Sequence, residues 1–203
     1  FGNHWNQPTP DNQSKCVHAF IGKLADGRIA TYQTLPWTIQ GWHSGSGKLG
    51  MSGNANNNGY IGFEICEDGL NSKSYFEFVY KEAVELCVFL CMEFGLNPLT
   101  DICCHSEGWT MGIASNHADI MHWWPKFGKN MDTFRSDVQK KIEDAEMENK
   151  PNIKEVTVSI GETQIASKLI DGVTYVPFRE FVDTFKKELE VTWDSIKGAG
   201  ISL

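Results

Sequence analysis

The 203-residue sequence predicts an α/β protein: a mixed central β-sheet flanked by helices, followed by a small α+β domain. Three features carry that prediction. Short alternating apolar runs and helical-period segments take turns along the first two thirds of the chain. Residues 143–151 then break the pattern with a polar, charged stretch ending in Pro151. Beyond it, strand-like runs surround one amphipathic helix. The first domain is expected over residues 1–145, a linker over 146–152 and the small domain over 153–203.

Val17-His18-Ala19-Phe20-Ile21-Gly22 alternates, and the Asp26-Gly27 turn leads into a second alternating run over 29–35, a hairpin signature. A loop rich in Gly, Ser and Asn (44–59) precedes a strand over 60–66. Between Tyr75 and Phe94, Val79, Tyr80, Ala83, Val84, Leu86, Cys87, Leu90, Cys91 and Phe94 recur at helical spacing, with Gly95 placed as the C-cap. Ile102-Cys103-Cys104 is read as the next strand and 131–146 as a closing helix. In the small domain, 156–160 is a strand, Gly161-Glu162 a turn and 173–176 a further strand. Pro177 opens a helix carrying Phe178, Phe181, Val182 and Phe185, and Val191-Thr192-Trp193 closes the chain's strand pattern.

Hydrophobic residues make up 41% of the sequence and charged residues 22%, an ordinary globular balance. The net charge of −8 argues against nucleic acid or an anionic membrane as partner, and no apolar run is long enough for membrane insertion. The six cysteines all precede residue 105, mostly within apolar runs, and their spacing suits neither ordinary disulfides nor a Cys-x-x-Cys zinc finger. They read as reduced core residues of a chain made in the cytosol. Oligomeric state is not legible.

The chemistry is concentrated in 105–119. His105, expected at the mouth of the 102–104 strand, is followed by a Gly- and Ser-containing loop that returns His117 and Asp119 to the same place. Imidazole and carboxylate suit a catalytic zinc, which takes three protein ligands and keeps one position open. The competing reading is that two His and one Asp meet by chance, the loop histidines being merely solvated.

Residues 16–138 resemble the zinc-dependent N-acetylmuramoyl-L-alanine amidases shared by phage endolysins, bacterial autolysins and peptidoglycan recognition proteins. The resemblance is carried by Cys16-Val17-His18-Ala19-Phe20, Leu35-Pro36-Trp37, Gly41-Trp42-His43-Ser44-Gly45, Tyr60-Ile61-Gly62-Phe63-Glu64-Ile65-Cys66-Glu67 and the segment from His105 to Trp124. Ser115-Asn116-His117-Ala118-Asp119 and Met131-Asp132-Thr133-Phe134-Arg135 look most like endolysins of clostridia-like bacteria and their phages.

The resemblance implies a Zn²⁺ ion held by His105 and Asp119, with Glu64 as general base and His117 beside the developing oxyanion. It implies bacterial peptidoglycan as the partner, and action at the cell wall by a protein made in the cytoplasm. The family's first histidine ligand should lie tens of residues before Val17, so it is expected upstream of Phe1 rather than at His4; without it the site has two protein ligands and binds metal weakly. Val17 stands where some members carry a catalytic Tyr, which throws weight on Glu64. His18 and His43 either line the groove or are hydrogen-bonded structural histidines. Trp37, Trp42, Trp109, Trp123 and Trp124 either stack on sugars or pack in the core. Glu107 is expected to support the site or lie on the surface, and His122 to pack beside it.

Residues 153–203 resemble the small domain named after the N-terminal part of copper amine oxidases, through Leu169-Ile170-Asp171-Gly172-Val173-Thr174-Tyr175-Val176-Pro177-Phe178-Arg179-Glu180 and Val191-Thr192-Trp193-Asp194. No His or Cys follows His122, so copper is not implied there; a wall-binding, spacing or assembly role is. The rival readings for the whole chain are a non-catalytic peptidoglycan-binding module of the same fold and a zinc peptidase cutting the stem peptide.

Overall fold

The Asp26-Gly27 turn sets the first element pair. Gly27 sits at φ +87°, and Asp26 Oδ1 accepts the Arg28 N–H at 3.0 Å. The turn joins β1 (Ala19–Lys23) to β2 (Ile29–Gln33) in antiparallel register, Ala19 opposite Gln33. The computed structural model describes residues 15–185, 190–194 and 198–202. A long connection then brings β3 (Phe63–Ile65) parallel to β1, with Phe20 opposite Glu64, giving a mixed sheet in the order β2-β1-β3.

The helix α1 (Lys73–Phe94) starts where the Ser72 hydroxyl accepts the Tyr75 N–H at 3.2 Å and ends at Gly95, in the left-handed region at φ +66°. Its Val79, Ala83, Leu86, Cys87 and Leu90 face inward and share one core with Ile21 of β1 and with Trp123, Trp124, Phe134 and Val138. Phe134 and Val138 belong to α2 (Met131–Glu148), which runs through Glu148, three residues into the segment read as linker. The expected fold class holds: strands and helices form a mixed α/β unit, followed by a small α+β region.

One expected strand is absent. Ile102 and Cys104 are extended (φ −99°, ψ 124° and φ −95°, ψ 170°), yet the segment 102–104 joins no sheet. It bridges two short helices, Pro98–Asp101 and α3 (His105–Met111). His105 therefore opens a helix instead of ending a strand. Only Cys87 and Cys91 are buried core thiols; Cys16, Cys66, Cys103 and Cys104 are half-buried.

The chain divides into two compact units, one up to Ala145 and one from Glu146. In the second, β4 (Ile153–Ile160), β5 (Thr163–Ile170) and β6 (Val173–Tyr175) form an antiparallel meander. Ile165 and Ser167 of β5 are buried on one face. Helix α4 (Phe178–Phe185) follows, then an antiparallel pair, β7 (Glu190–Asp194) and β8 (Gly198–Ser202). Among the described residues no helix is long and apolar enough to cross a membrane.

Candidate active site

Helix α3 carries His105 as its first residue, and its start is anchored from behind. Glu107 accepts the Cys104 N–H at 3.2 Å, while Arg135 of α2 grips Glu107 through two N–H···O contacts of 3.0 Å and donates to the Ile102 carbonyl at 3.1 Å. The Glu107 hydrogen bonds, helped by Asp132, push the guanidinium's pKa above its ordinary value against the opposing effect of burial. Glu107 is thus a supporting residue, as expected. Replacing Arg135 by Met leaves Glu107 and the Ile102 carbonyl short of partners. Arg135→Met is expected to lower stability by about 2 kcal/mol, read as a lower urea midpoint at unchanged slope; an unchanged midpoint contradicts this role.

After α3 the chain reverses at Gly112 (φ +84°), whose carbonyl accepts the Leu49 N–H at 3.0 Å. The returning strand of loop is stitched to residue 44 by the Ser115 N–H donating to the Ser44 carbonyl at 2.8 Å. His117 and Asp119 follow. Asp119 sits at φ +43°, a region that Asp tolerates better than most residues but that still carries strain held by its surroundings. The outcome is close convergence: His105 Nδ1 and Asp119 Oδ2 lie 3.0 Å apart, and the His105 and His117 ring centroids 4.8 Å apart.

His105 and Asp119 line a cavity of about 230 Å³, together with His43, Tyr60, Glu64 and His122. Glu64 enters from the middle of β3. Burial pushes its carboxyl up to about 7, the Asp119 charge adds to this, and His105 and Lys15 oppose it. The Asp119 hydrogen bond raises the His105 pKa against burial. Burial alone would raise Asp119, but the His105 hydrogen bond and the charges of His105, His117 and His122 hold it below the usual carboxylate range.

His43 lines the cavity, and burial, followed by the charges of His105 and His18, drives its pKa down to about 4. It is a neutral imidazole at neutral pH, its Nδ1 buried with no hydrogen-bond partner among the described residues. Buried Asn56 holds its backbone: Oδ1 accepts the His43 and Ser44 N–H groups at 2.9 and 3.2 Å, and Nδ2 donates to the Gly45 carbonyl at 3.3 Å. The ring lies against Gly62, where a Cβ would overlap it. Gly62→Ala is therefore expected to displace His43 and, on the wall substrate that the sequence resemblance implies, to lower kcat/KM by on the order of 100-fold, as small misplacements near reacting groups do. Wild-type turnover by a folded Gly62→Ala protein contradicts that.

Here the structure selects among readings that the sequence left open. His18 is 1% exposed and structural: its Nδ1 accepts the Gly62 N–H at 3.0 Å, which leaves Nε2 to donate to the Ile39 carbonyl at 2.8 Å. Trp123 and Trp124, each 2% exposed, are core residues and present no ring to a sugar. Trp37, Trp42 and Trp109 are half-buried; Trp37 stacks on His18, and Lys48 lies 5.0 Å over the Trp109 ring. His122 pairs with Glu67 at 2.6 Å on the cavity's rim. Val17 is buried, and His4 lies outside the described residues.

Sequence reasoning assigned no role to Asn56, Gly62 or Ser115. Ser115 alternates with His117 and Asp119, and that spacing was the only available signal. Its hydroxyl contacts His105 Nε2 at 3.2 Å and His117 Nδ1 at 3.1 Å.

Among the described residues no group of three or more His, Cys, Asp or Glu is arranged to hold a metal. Two donors are. A tetrahedral zinc with nitrogen and oxygen ligands at about 2.0–2.1 Å places such atoms about 3.3 Å apart; the His105–Asp119 pair, at 3.0 Å, is within a small adjustment of that. The donor types also suit zinc, and the carboxyl is ionised at neutral pH.

Imidazoles and carboxylates thus converge in one cavity beside the mixed sheet. The family description N-acetylmuramoyl-L-alanine amidase matches residues 2–122, more than half of the chain, and the chain belongs to this family of peptidoglycan amidases. No curated protein and no solved structure matches it.

Proposed function

We propose that this chain is a zinc-dependent hydrolase that cleaves the amide joining N-acetylmuramic acid to L-alanine. The observation that carries the reading is the 3.0 Å approach of His105 Nδ1 to Asp119 Oδ2 in the cavity that Glu64 also lines. His105 and Asp119 hold the ion. Bound there, zinc supplies Lewis acidity, acidifying water and polarising the amide carbonyl.

The protein's own groups do the rest. Glu64, with a pKa near neutrality, takes a proton from the attacking water and delivers it to the departing L-alanine nitrogen. His117 stabilises the oxyanion of the tetrahedral intermediate. Neutral His43 bounds the cavity without adding charge. The products are a muramoyl carboxylate and a free L-alanine amino terminus.

The matching motifs favour wall lysis as an endolysin or turnover as an autolysin, by a protein made in the cytoplasm and acting at the wall. The unit from Glu146 serves as a wall-binding or spacing module. Mass spectrometry of soluble products from purified wall tests the reaction. New L-alanine amino termini with intact glycan are expected; cleavage within the stem peptide or the glycan overturns it.

A further inference from the structure

Ser115 is half-buried between the two imidazoles, and its hydroxyl has three neighbours: the Ser44 carbonyl at 3.2 Å, His105 Nε2 at 3.2 Å and His117 Nδ1 at 3.1 Å. A hydroxyl has one proton to give and two lone pairs to offer. The Ser44 carbonyl can only accept, so a hydroxyl that keeps all three contacts as hydrogen bonds gives its proton there. Both ring nitrogens must then donate to Ser115 Oγ, which fills its hydrogen-bonding capacity.

That assignment fixes the faces of both rings. With the proton on Nε2, His105 turns the lone pair of Nδ1 toward Asp119 Oδ2. Two electron-rich atoms 3.0 Å apart need a cation or a proton between them. With its proton on Nδ1, His117 keeps Nε2 for proton traffic on its other side. The position is built into the loop geometry: Gly45, at φ +67°, has no side chain, and a Cβ there would stand 2.6 Å from Ser115 Oγ. Asn56 holds the same 43–45 segment through three hydrogen bonds.

We infer that Ser115 is a positioning residue that sets the tautomers of His105 and His117, committing His105 Nδ1 to the metal and His117 Nε2 to the substrate side. This rests on the zinc amidase reading above. Outer hydrogen-bond partners of metal-bound histidines commonly change metal affinity 10- to 100-fold. Ser115→Ala is therefore expected to weaken the binding of zinc alone, measured by chelator competition, by roughly 10- to 100-fold. It should lower kcat more than it raises KM.

Ser115→Thr keeps the hydroxyl and is expected to recover most of both. Two-bond ¹H–¹⁵N spectra of the zinc-loaded wild type should show His105 protonated on Nε2 and metallated on Nδ1, with His117 protonated on Nδ1. His105 metallated through Nε2, or a Ser115→Ala protein that binds zinc as tightly as wild type, overturns the inference. Should Ser115→Ala not fold, the wild-type spectrum decides. Protein that shows these tautomers and loses zinc affinity in Ser115→Ala, yet releases no L-alanine termini, contradicts the amidase reading while supporting this one.

Discussion

Glu64→Gln is expected to reduce turnover of purified wall by roughly 10²- to 10⁴-fold, the usual contribution of a general base, while leaving zinc bound. The glutamine amide keeps the shape of the side chain but cannot take a proton from water. The same substitution should stabilise the chelated, metal-free protein in alkali. Burial raises the folded-state pKa of Glu64 from 4.5 to about 7, so between those values the folded protein holds a proton that the unfolded chain has lost. Stability therefore falls as pH rises through that window. Glutamine removes the dependence: Glu64→Gln and wild type should match below pH 4.5, and the variant should gain roughly 3 kcal/mol at pH 8. Chelation matters, because a nearby cation would pull the carboxyl back down. Retained turnover removes Glu64 from the mechanism; absence of any alkaline stabilisation contradicts its burial as a charge.

Asp119→Ala has the second large expected effect, the loss of zinc. Supporting residues alone change affinity 10- to 100-fold, so removing a charged ligand from a pair should weaken binding by about 100-fold or more, and turnover should fall with it. The metal-free protein reports the same pair differently. His105 is raised above 6.5 and Asp119 lowered below 3.8 by their mutual hydrogen bond, so each stabilises the other while both are charged. The aspartate's share is present above pH 3.8 and lost as pH falls through its depressed value. The histidine's share is present below pH 6.5 and lost as pH rises through its elevated one. Asp119→Ala should thus destabilise the chelated protein most between those limits and less at both acid and alkaline extremes. Zinc must displace the His105 proton, so wild-type affinity should climb as pH rises past 6.5. Zinc binding undiminished in Asp119→Ala assigns the ion elsewhere.

Much of the framework could be read from sequence because local signals agreed with burial. The β1–β2 hairpin had alternation on both sides of an Asp-Gly turn, and α1 had helical spacing with Gly95 to end it. The segment 102–104 failed for a physical reason: three apolar residues fit an extended chain whether or not it has a sheet partner. The Asn97 cap and Pro98 begin a helical turn just before it, so the segment serves as a link between two helices. Strand β5 was missed because its inward face carries buried Ser167 beside Ile165, which breaks the apolar alternation.

The cavity was legible only in part. The proximity of His105, His117 and Asp119 follows from their short separation and the Gly112 reversal between them. The burial of Trp123 and Trp124 depended on which residues of α1 and α2 met them, and periodicity says nothing of that. Ser115, Asn56 and Gly62 act through neighbours tens of residues away: Ser115 reaches Ser44, Asn56 holds the backbone of His43, and Gly62 makes room for its ring. None of those distances is written in local spacing.

The central claim is that one divalent cation is gripped by residues 105 and 119. Anomalous diffraction at the zinc edge, from crystals grown with one equivalent of zinc, tests it most directly. A single strong peak is expected within about 2.0–2.2 Å of both His105 Nδ1 and an Asp119 carboxylate oxygen. A peak at another set of side chains, or an empty position between these two at full zinc saturation, contradicts it.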